Sequence, residues 1–570
     1  ISLHELNYGT RERSDWSNAS KKSKFILDKK GKEIISELGF KIKKLDNLSN
    51  LFFSEQESIA VGIFLNSNEI DHVASERFNN ISPIVYGLIK ADKEKIPWVF
   101  LIQEERIRIY STENIAISKR SRTETYIECQ LSIISNKDSA FLWLLFSAEA
   151  LKENGTIYQI LEESERFAAN VADKLRERIY GNIIPKLASS ISNSRGILNP
   201  SKKDLSLTYE MTIKVLFRIL FVAYAEDRDL LPFKTNEAYR KNSLKQKANE
   251  LKDIEIKKLS ESFENNYWED TKNLWKNISK GNKELGIPAY EGSIFSYDSN
   301  ISQSGAALDK LQLPNNEYCE ILANILLRES NEEKKAPIDF RSLSVREFGT
   351  IYEGLLESEL SVAETDLALD KKGKYYPTKI IEKIAVKKGE TYLHNRSGDR
   401  KSSASFYTRN FAVEDILDKT LEPAIDEHFK RLINLNDVDQ ADNLFSFRVA
   451  DISMGSGHFL VAAIDRIERR FAIWLKENPN PIIKRELQYL SDAAKKEIGE
   501  LTNNISINES QLLRRMIARR CIYGVDINPL AVQLSRLSIW IHSFVPGLPL
   551  SLLDHNLVNG NALIGIDSLD

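Results

Sequence analysis

The stretch VADISMGSGHFL, Val449 to Leu460, decides how the C-terminal part of this sequence folds. A hydrophobic run ends at Asp451, a turn carries Gly455 and Gly457, and HFLVAAIDRIERRFAIWL follows with helical apolar spacing. Such a unit puts a loop that lets a ligand come close at the carboxyl end of a strand, with free N–H groups at the head of the next helix. Working outward, CIYGVDI and PLAVQLSRLSIWIHSF repeat the strand–helix alternation, with Asp526 at the strand end and Asn528 and Pro529 opening the helix. The alternation predicts a parallel, doubly wound sheet. Between the two strands, residues 476 to 515 read as a charged helical insertion.

The glycine turn alone fits a plain structural turn or a dinucleotide site as well as other nucleotide-like ligands. Asp526 separates these, because a carboxylate at the end of the next strand can accept both ribose hydroxyls of an adenosyl group. A dinucleotide fingerprint would carry a third glycine where Leu460 stands and an acid about 20 residues on, whereas Asp526 follows only after the insertion. S-adenosylmethionine (SAM) therefore suits the pattern better than NAD, although Asp526 could also serve as a helix N-cap. Downstream, LLDHNLVNGNALIG, Leu552 to Gly565, places Gly560 and Asn561 at the turn after a third element, where a side-chain amide can read an adenine edge. Upstream, SASFYTRNFAVEDILDKTL puts Phe406, Tyr407 and Thr408 ahead of a helix, near the position of the SAM carboxylate. The plainer reading of Phe406 and Tyr407 is packing beside the sheet.

The remaining chain has room for several domains, since 570 residues with 42% hydrophobic content exceed one ordinary core. Residues 22 to 38 read as a helix, followed by strands at ESIAVGIFL, WVFLI and RIRIYS with a helical ISPIVYGLIKADKEK between them. Residues 1–146 thus form a small α/β domain. Residues 147–360 carry long amphipathic segments and form a helical connector. Residues 361–404 are polar and basic, with Lys371, Lys372, Lys374 and Lys379 beside Tyr375 and Tyr376; they read either as a DNA-backbone contact or as a solvated linker. Residues 405–570 form the glycine-loop domain.

Basic and acidic residues nearly cancel, 79 against 82 with a net charge of -3, so a nucleic-acid partner would be held by local patches. Three scattered cysteines without ligand spacing argue against a disulfide framework or structural zinc and suit a reducing cytosol. Neither a membrane span nor a signal peptide is readable. The chain starts at Ile1 and stops after GNALIGIDSLD, so one or both ends are expected not to be natural ones.

Taken in order, FYT, DISMGSGHFL, GVDINPLAV and NGNALIG resemble the motifs of the large amino-methyltransferases of restriction–modification and phage defence, most closely the type IIG and type ISP enzymes and the methylases of BREX and DISARM. FRILFVAYAEDRDLLP, GIPAYEGSIFSYD and FGTIYEGLLE are similar to strings of that family's helical region, which extends the resemblance over roughly residues 205 to 570. It implies a multidomain α/β protein with a Rossmann-like SAM-dependent core, site-specific methylation of adenine N6 (or cytosine N4) in double-stranded DNA, and a cytoplasmic host-marking role beside further defence-system subunits. It also implies that Phe406, Tyr407 and Thr408 meet the methionine end of SAM, and that Asp451, Gly455 and Gly457 form the loop beneath it. Asp526 would hold the ribose, Ile527 would pack on the adenine, and Asn561 would face its exocyclic amine.

This sequence departs from the family's pattern at Ile452 and Ser453 (usually Pro-Ala), in ASFYTRN (usually GSYYTP), and at Asn561 (often acidic). No (N/D/S)PP(Y/F) tetrad, the string that grips the flipped base in the family, occurs in the 570 residues, so no catalytic residue is named within this chain. Relatives often carry a magnesium-dependent PD-(D/E)xK nuclease at the N-terminus. The layout of residues 1–146 matches, but ESIAVGIFL has no acidic-x-Lys behind it, and Glu55, Glu57 and Glu69 are not placed as ligands. The expectation is a nuclease-like fold without cleavage, with no metal unless that domain is active. Two alternatives stand: a bifunctional restriction endonuclease–methyltransferase, and a non-catalytic SAM- or DNA-binding scaffold.

Overall fold

The protein is described from a computed structural model, which covers residues 1–570 apart from 67–68, 71–75, 79–80, 113–121, 124, 254–265, 291, 293, 331–333, 344–354, 356–357, 371–373, 396–409, 499–506, 508, 550–554 and 565–570. The described part is a mixed α/β chain. Its N-terminal sheet holds β1 (Lys41–Lys44), β2 (Asn50–Ser54), β3 (Glu57–Phe64), β4 (Trp98–Gln103), β5 (Arg106–Ser111) and β6 (Tyr126–Gln130) in sequence order. Every pairing is antiparallel except β3 with β4, because α1 (Pro83–Glu94) carries the chain back across one face before β4 begins. Trp98, Phe100 and Ile102 enter one core and Val99 and Leu101 the other, so a strand buried on both faces reads as the unbroken run WVFLI.

The single helix expected over residues 22–38 is instead two, Trp16–Lys24 and Lys32–Glu37. The break spans Phe25–Gly31, and Gly31, whose φ is 53° and whose N–H donates to Glu104 O at 2.8 Å, stands at the N-cap of the second helix.

The helical region contains α2 (Thr156–Arg178), α3 (Ile184–Arg195) and α4 (Lys202–Asp227). A capping box starts α4, with Ser201 and Asp204 exchanging bonds, and every residue from Met211 to Asp227 is buried. A helix buried on all sides must satisfy its polar groups inside the protein. Arg218 donates to Ile294 O at 2.7 Å and Ser296 O at 3.2 Å and lies over the Trp275 and Tyr297 rings. Burial pulls its guanidinium down to about 10. At the helix end Glu226 accepts from Tyr239 Oη, Leu244 N and Lys245 N at 2.8–2.9 Å, while Asp227 accepts from Phe340 N and Lys245 Nζ. The strings FRILFVAYAEDR and GSIFSYD are therefore tied to each other through Arg218.

Beyond α4 come the hairpin β7 (Leu327–Ser330) and β8 (Lys334–Pro337), then β9 (Ser358–Val362), β10 (Leu367–Leu369), β11 (Tyr375–Pro377), β12 (Ile384–Val386) and β13 (Thr391–Asn395). β9 pairs with β13, and β11–β10–β12 form a three-stranded sheet closed over Ala363, Leu367 and Val386, with Tyr375 and Tyr392 against them. The described residues of the basic stretch 361–404 thus carry a small fold of their own.

The glycine-loop region follows with α5 (Asn410–Leu432), β14 (Val449–Asp451), α6 (His458–Glu477), α7 (Pro481–Ile498), α8 (Glu509–Arg520), β15 (Ile522–Asp526), α9 (Pro529–His542) and β16 (Leu557–Asn559). The three strands are parallel in the order β14–β15–β16, and α7 and α8 make up the charged insertion. One hydrophobic core runs from Val171 in α2 to Leu557 in β16, so the helical region and this sheet share an interior. Phe221 of α4 meets Trp540 of α9 at a ring separation of 4.0 Å, and Tyr290 meets Phe544 at 5.4 Å. No helix among the described residues is long and apolar enough to cross a membrane.

Burial raises the Glu226 carboxyl from 4.5 to about 7 against the pull of its three donors. A raised folded-state value means that the stability it contributes is complete below pH 4.5 and lost as pH rises through 7. Urea unfolding of wild type and Glu226→Gln across this window should show wild type losing on the order of 3 kcal/mol relative to the variant; a constant difference would refute the assignment.

Candidate functional site

β15 and β16 end level, with Asp526 paired to Asn559, and β14 stops two residues short of them, its last residue Asp451 paired to Gly524. The carboxyl edge of a parallel sheet is where helix N-termini and loop amides converge, and the segments at Asp451–Gly457, Asp526–Pro529 and Asn559–Asn561 come to this edge. Gly455 and Gly457 both have positive φ, 51° and 80°. Their reasons for being glycine differ. A Cβ on Gly455 would meet nothing within 4 Å, whereas one on Gly457 would sit 3.2 Å from Ser535 Cα, so Gly457 lets α6 start hard against α9. Gly524 has a third reason, since a Cβ there would run into Met454 Sδ.

Asp526 fastens the loop. Its Oδ2 accepts from Gly455 N at 2.9 Å and its Oδ1 from Asn528 N at 2.8 Å. The N-cap of α9 is Asn528, whose side chain accepts from Leu530 N, so Asp526 is not the cap. The main-chain oxygen of Asp526 accepts from Gly560 N at 3.0 Å and Asn559 Nδ2 at 2.9 Å, and Ser535 Oγ donates to Gly455 O at 2.7 Å. Asp451 stands close enough to Asp526 to feel its charge. Burial first and this neighbour second push the Asp451 carboxyl above its usual range, against a 3.0 Å bond from Ser453 N.

Ile527 is 70% exposed and Ile452 64%, two aliphatic side chains left on the rim beside the carboxylates. The edge therefore offers carboxylate oxygens that accept hydrogen bonds, loop amides that donate them and an apolar rim. Asn561 is exposed, and its Oδ1 accepts from Leu563 N at 2.9 Å, so in this state it closes its own turn. Phe406, Tyr407 and Thr408 lie outside the described residues, as do Lys371 and Lys372, while Lys374 and Lys379 are exposed in the β10–β12 module. Asn559 was not anticipated: its amide holds both Asp526 O and Ile527 O, a role set by the strand register and visible in sequence only as the Asn of VNGN.

In the N-terminal sheet Asn50 of β2 pairs with Gly62 of β3. Glu69 is bound by Arg77 and by Asn66 N, and Glu55 sits in the β2–β3 turn with a φ of 58°. Among the described residues no group of three His, Cys, Asp or Glu stands ready to hold a metal ion.

A comparison with curated proteins finds 23% identity over 380 residues to a protein of Methanocaldococcus jannaschii named "Putative type II restriction enzyme and methyltransferase RM.MjaORFECS2P". The match covers 62% of this chain but only 27% of that protein. No family model matches the chain, and no solved structure does.

The two loop glycines should respond differently to alanine. Gly455→Ala carries only the cost of a positive φ, about 1 kcal/mol, whereas Gly457→Ala adds a close contact with Ser535 and should cost about 2–3 kcal/mol. Thermal or urea unfolding of both variants checks this; equal losses would show that the packing against α9 does not matter.

Proposed function

We propose that the carboxyl edge of β14–β15–β16 binds SAM and that the intact protein methylates DNA in a restriction–modification system, with adenine N6 as the acceptor. The observation that supports this best is the meeting of Asp526, the Gly455 loop and the exposed Ile527 at one strand edge. The name of the archaeal relative adds the restriction–modification context. Asp526 uses one lone pair on each oxygen for a backbone N–H, which leaves further acceptor positions for the two ribose hydroxyls. Ile527 gives the adenine an apolar face, and the head of α6 presents N–H groups toward the amino-acid end. SAM supplies a methyl group on a sulfonium. The protein has to orient that group in line with the adenine amine and keep water away, and it needs no metal ion for either task. The motif order FYT, DISMGSG, GVDINP, NGNA favours an amine acceptor through its resemblance to the amino-methyltransferases.

A second reading, a bifunctional enzyme that also cuts DNA, draws on the relative's name and on the mixed N-terminal sheet.

Calorimetric titration of SAM into this chain tests the site, with Asp526→Ala as the comparison and melting curves as the control for folding. Wild type should bind, and the variant should bind at least ~10-fold more weakly, in keeping with lost charge-assisted hydrogen bonds. Folded wild type that gives no heat of binding, or a variant that binds equally well, would overturn the assignment.

A further inference from the structure

α5 and α6 are joined by carboxylates on one helix and arginines on the other. On α5 the apolar residues Val413, Leu417, Leu421 and Ile425 enter the core, and Glu414, Asp418, Glu422 and Asp426 form the stripe next to them. Arg466 of α6 donates from Nη2 to Glu414 Oε2 at 2.5 Å and to Glu414 O at 3.4 Å. Its Nη1 donates to Asp418 and, at 3.3 Å, to Glu422 Oε1. Arg469 reaches Glu422 Oε1 at 3.2 Å, and Arg470 reaches Glu422 Oε2 at 2.5 Å and also Asp426. The Arg466 side chain is 13% exposed, so its pairs are screened less than those of an open surface. Neighbouring charges are engaged elsewhere: Asp465 with His542 Nε2 at 2.7 Å, Glu468 with Ser510, and Lys419 and Arg431 with Asp415 and Glu427 along α5 itself.

The pairs rise together in number, so the two helices run parallel. Glu414 lies ~6 Å inside α5 and Arg466 ~12 Å inside α6, and an arginine on a helix leans back toward the head of that helix. The two heads therefore stand about level, and Glu414 lines the same cleft as His458, the first residue of α6. That head follows directly on the loop at Gly455–Gly457. Parallel helices set like ends of their dipoles side by side, a repulsion that the arginine–carboxylate seam offsets.

Pro423 lies inside α5 and has no N–H to give Lys419 O, so the backbone ladder of the helix is interrupted there. Residues 410–422 form an arm ahead of this gap. Arg466 bonds the arm at three residues, while Arg470 spans the gap, with Glu422 ahead of it and Asp426 behind. Apolar packing holds the arm to the core without fixing a direction, whereas a guanidinium fork accepts one geometry.

We infer that Arg466 is a positioning residue for the cofactor edge: it sets where the head of α5 stands beside the loop at Gly455–Gly457, and through that the affinity of the edge for SAM. This rests on the reading of that edge as the SAM site, to which it adds a residue that acts without touching the cofactor. Phe406, Tyr407 and Thr408, assigned by resemblance to the methionine end of SAM, precede α5 in the sequence.

Calorimetric titration of SAM into the whole chain, with a melting curve for each variant, tests this. Arg466→Met keeps the aliphatic stem and loses the fork, and its SAM affinity should fall about 10-fold. The double variant Glu414→Ala, Asp418→Ala removes the partners instead and should fall as far; combining it with Arg466→Met should add little, because both break the same contact. Arg470→Met gives up ion pairs of the same seam while Arg466 keeps its grip on the arm. It should melt lower, as Arg466→Met does, yet bind SAM within about 2-fold of wild type. Equal weakening by Arg466→Met and Arg470→Met would reduce the seam to general stability and overturn the inference, as would a folded Arg466→Met that binds like wild type. If Arg466→Met does not fold, the double variant decides by the same comparison. Binding that Asp526→Ala abolishes and Arg466→Met leaves intact sinks this inference alone, whereas a folded wild type that takes no SAM sinks the cofactor reading and this inference with it.

Discussion

The carboxylate of Asp526 joins three strand ends into one edge. Its two oxygens hold Gly455 N and Asn528 N, and its own carbonyl holds Gly560 N and Asn559 Nδ2, so the loop after β14, the head of α9 and the end of β16 all meet at this residue. Much of the local sequence follows from that fastening. Gly455 takes a positive φ in the loop whose N–H meets the carboxylate, Gly524 has to lack a side chain because Met454 lies over it, and Ser535 donates to the carbonyl of Gly455. Hydrogen bonds to a charged acceptor are each worth about 1.5–3 kcal/mol, enough to hold a short loop whose backbone conformation is otherwise unfavourable.

The helical region supports this edge from behind. α9 leaves Asp526 and runs back into the shared core, where Trp540 packs on Phe221 in the buried stretch Met211–Asp227 of α4. Burying a large aromatic side chain contributes roughly 2–3 kcal/mol, so the contact links the placement of α9 to that of α4. The polar residues of α4 then fix its surroundings: Arg218 holds the segment at Ile294–Ser296, and Glu226 and Asp227 hold the chain at Leu244–Lys245 and Phe340. Charged groups buried in this way are costly unless they find partners, which these side chains take from the backbone and side chains of neighbouring segments.

The long elements were legible because their periodicity is local. α4, α6, α9, β3, β4 and β15 all lie where apolar spacing places them. The break at Phe25–Gly31 escaped because apolar spacing runs across it unchanged, while the Glu104 carbonyl that holds Gly31 N comes from far along the chain. The strands β10, β11 and β12 have three residues each, too short to show alternation, and their register is set by contacts that composition does not reveal. At the site, the glycines and Asp526 were readable from their pattern. Asn559 was not, because its role depends on where β16 falls beside β15.

Amide hydrogen exchange of the chain with and without SAM tests the proposed binding of SAM at the β14–β15–β16 edge most directly, since it reports on every loop at once. Binding there should slow exchange at the amides of residues 452–458, 527–529 and 559–564 and leave the N-terminal sheet unchanged. Exchange that is unaltered at those three segments while SAM is bound, or protection confined to another part of the chain, would contradict the assignment.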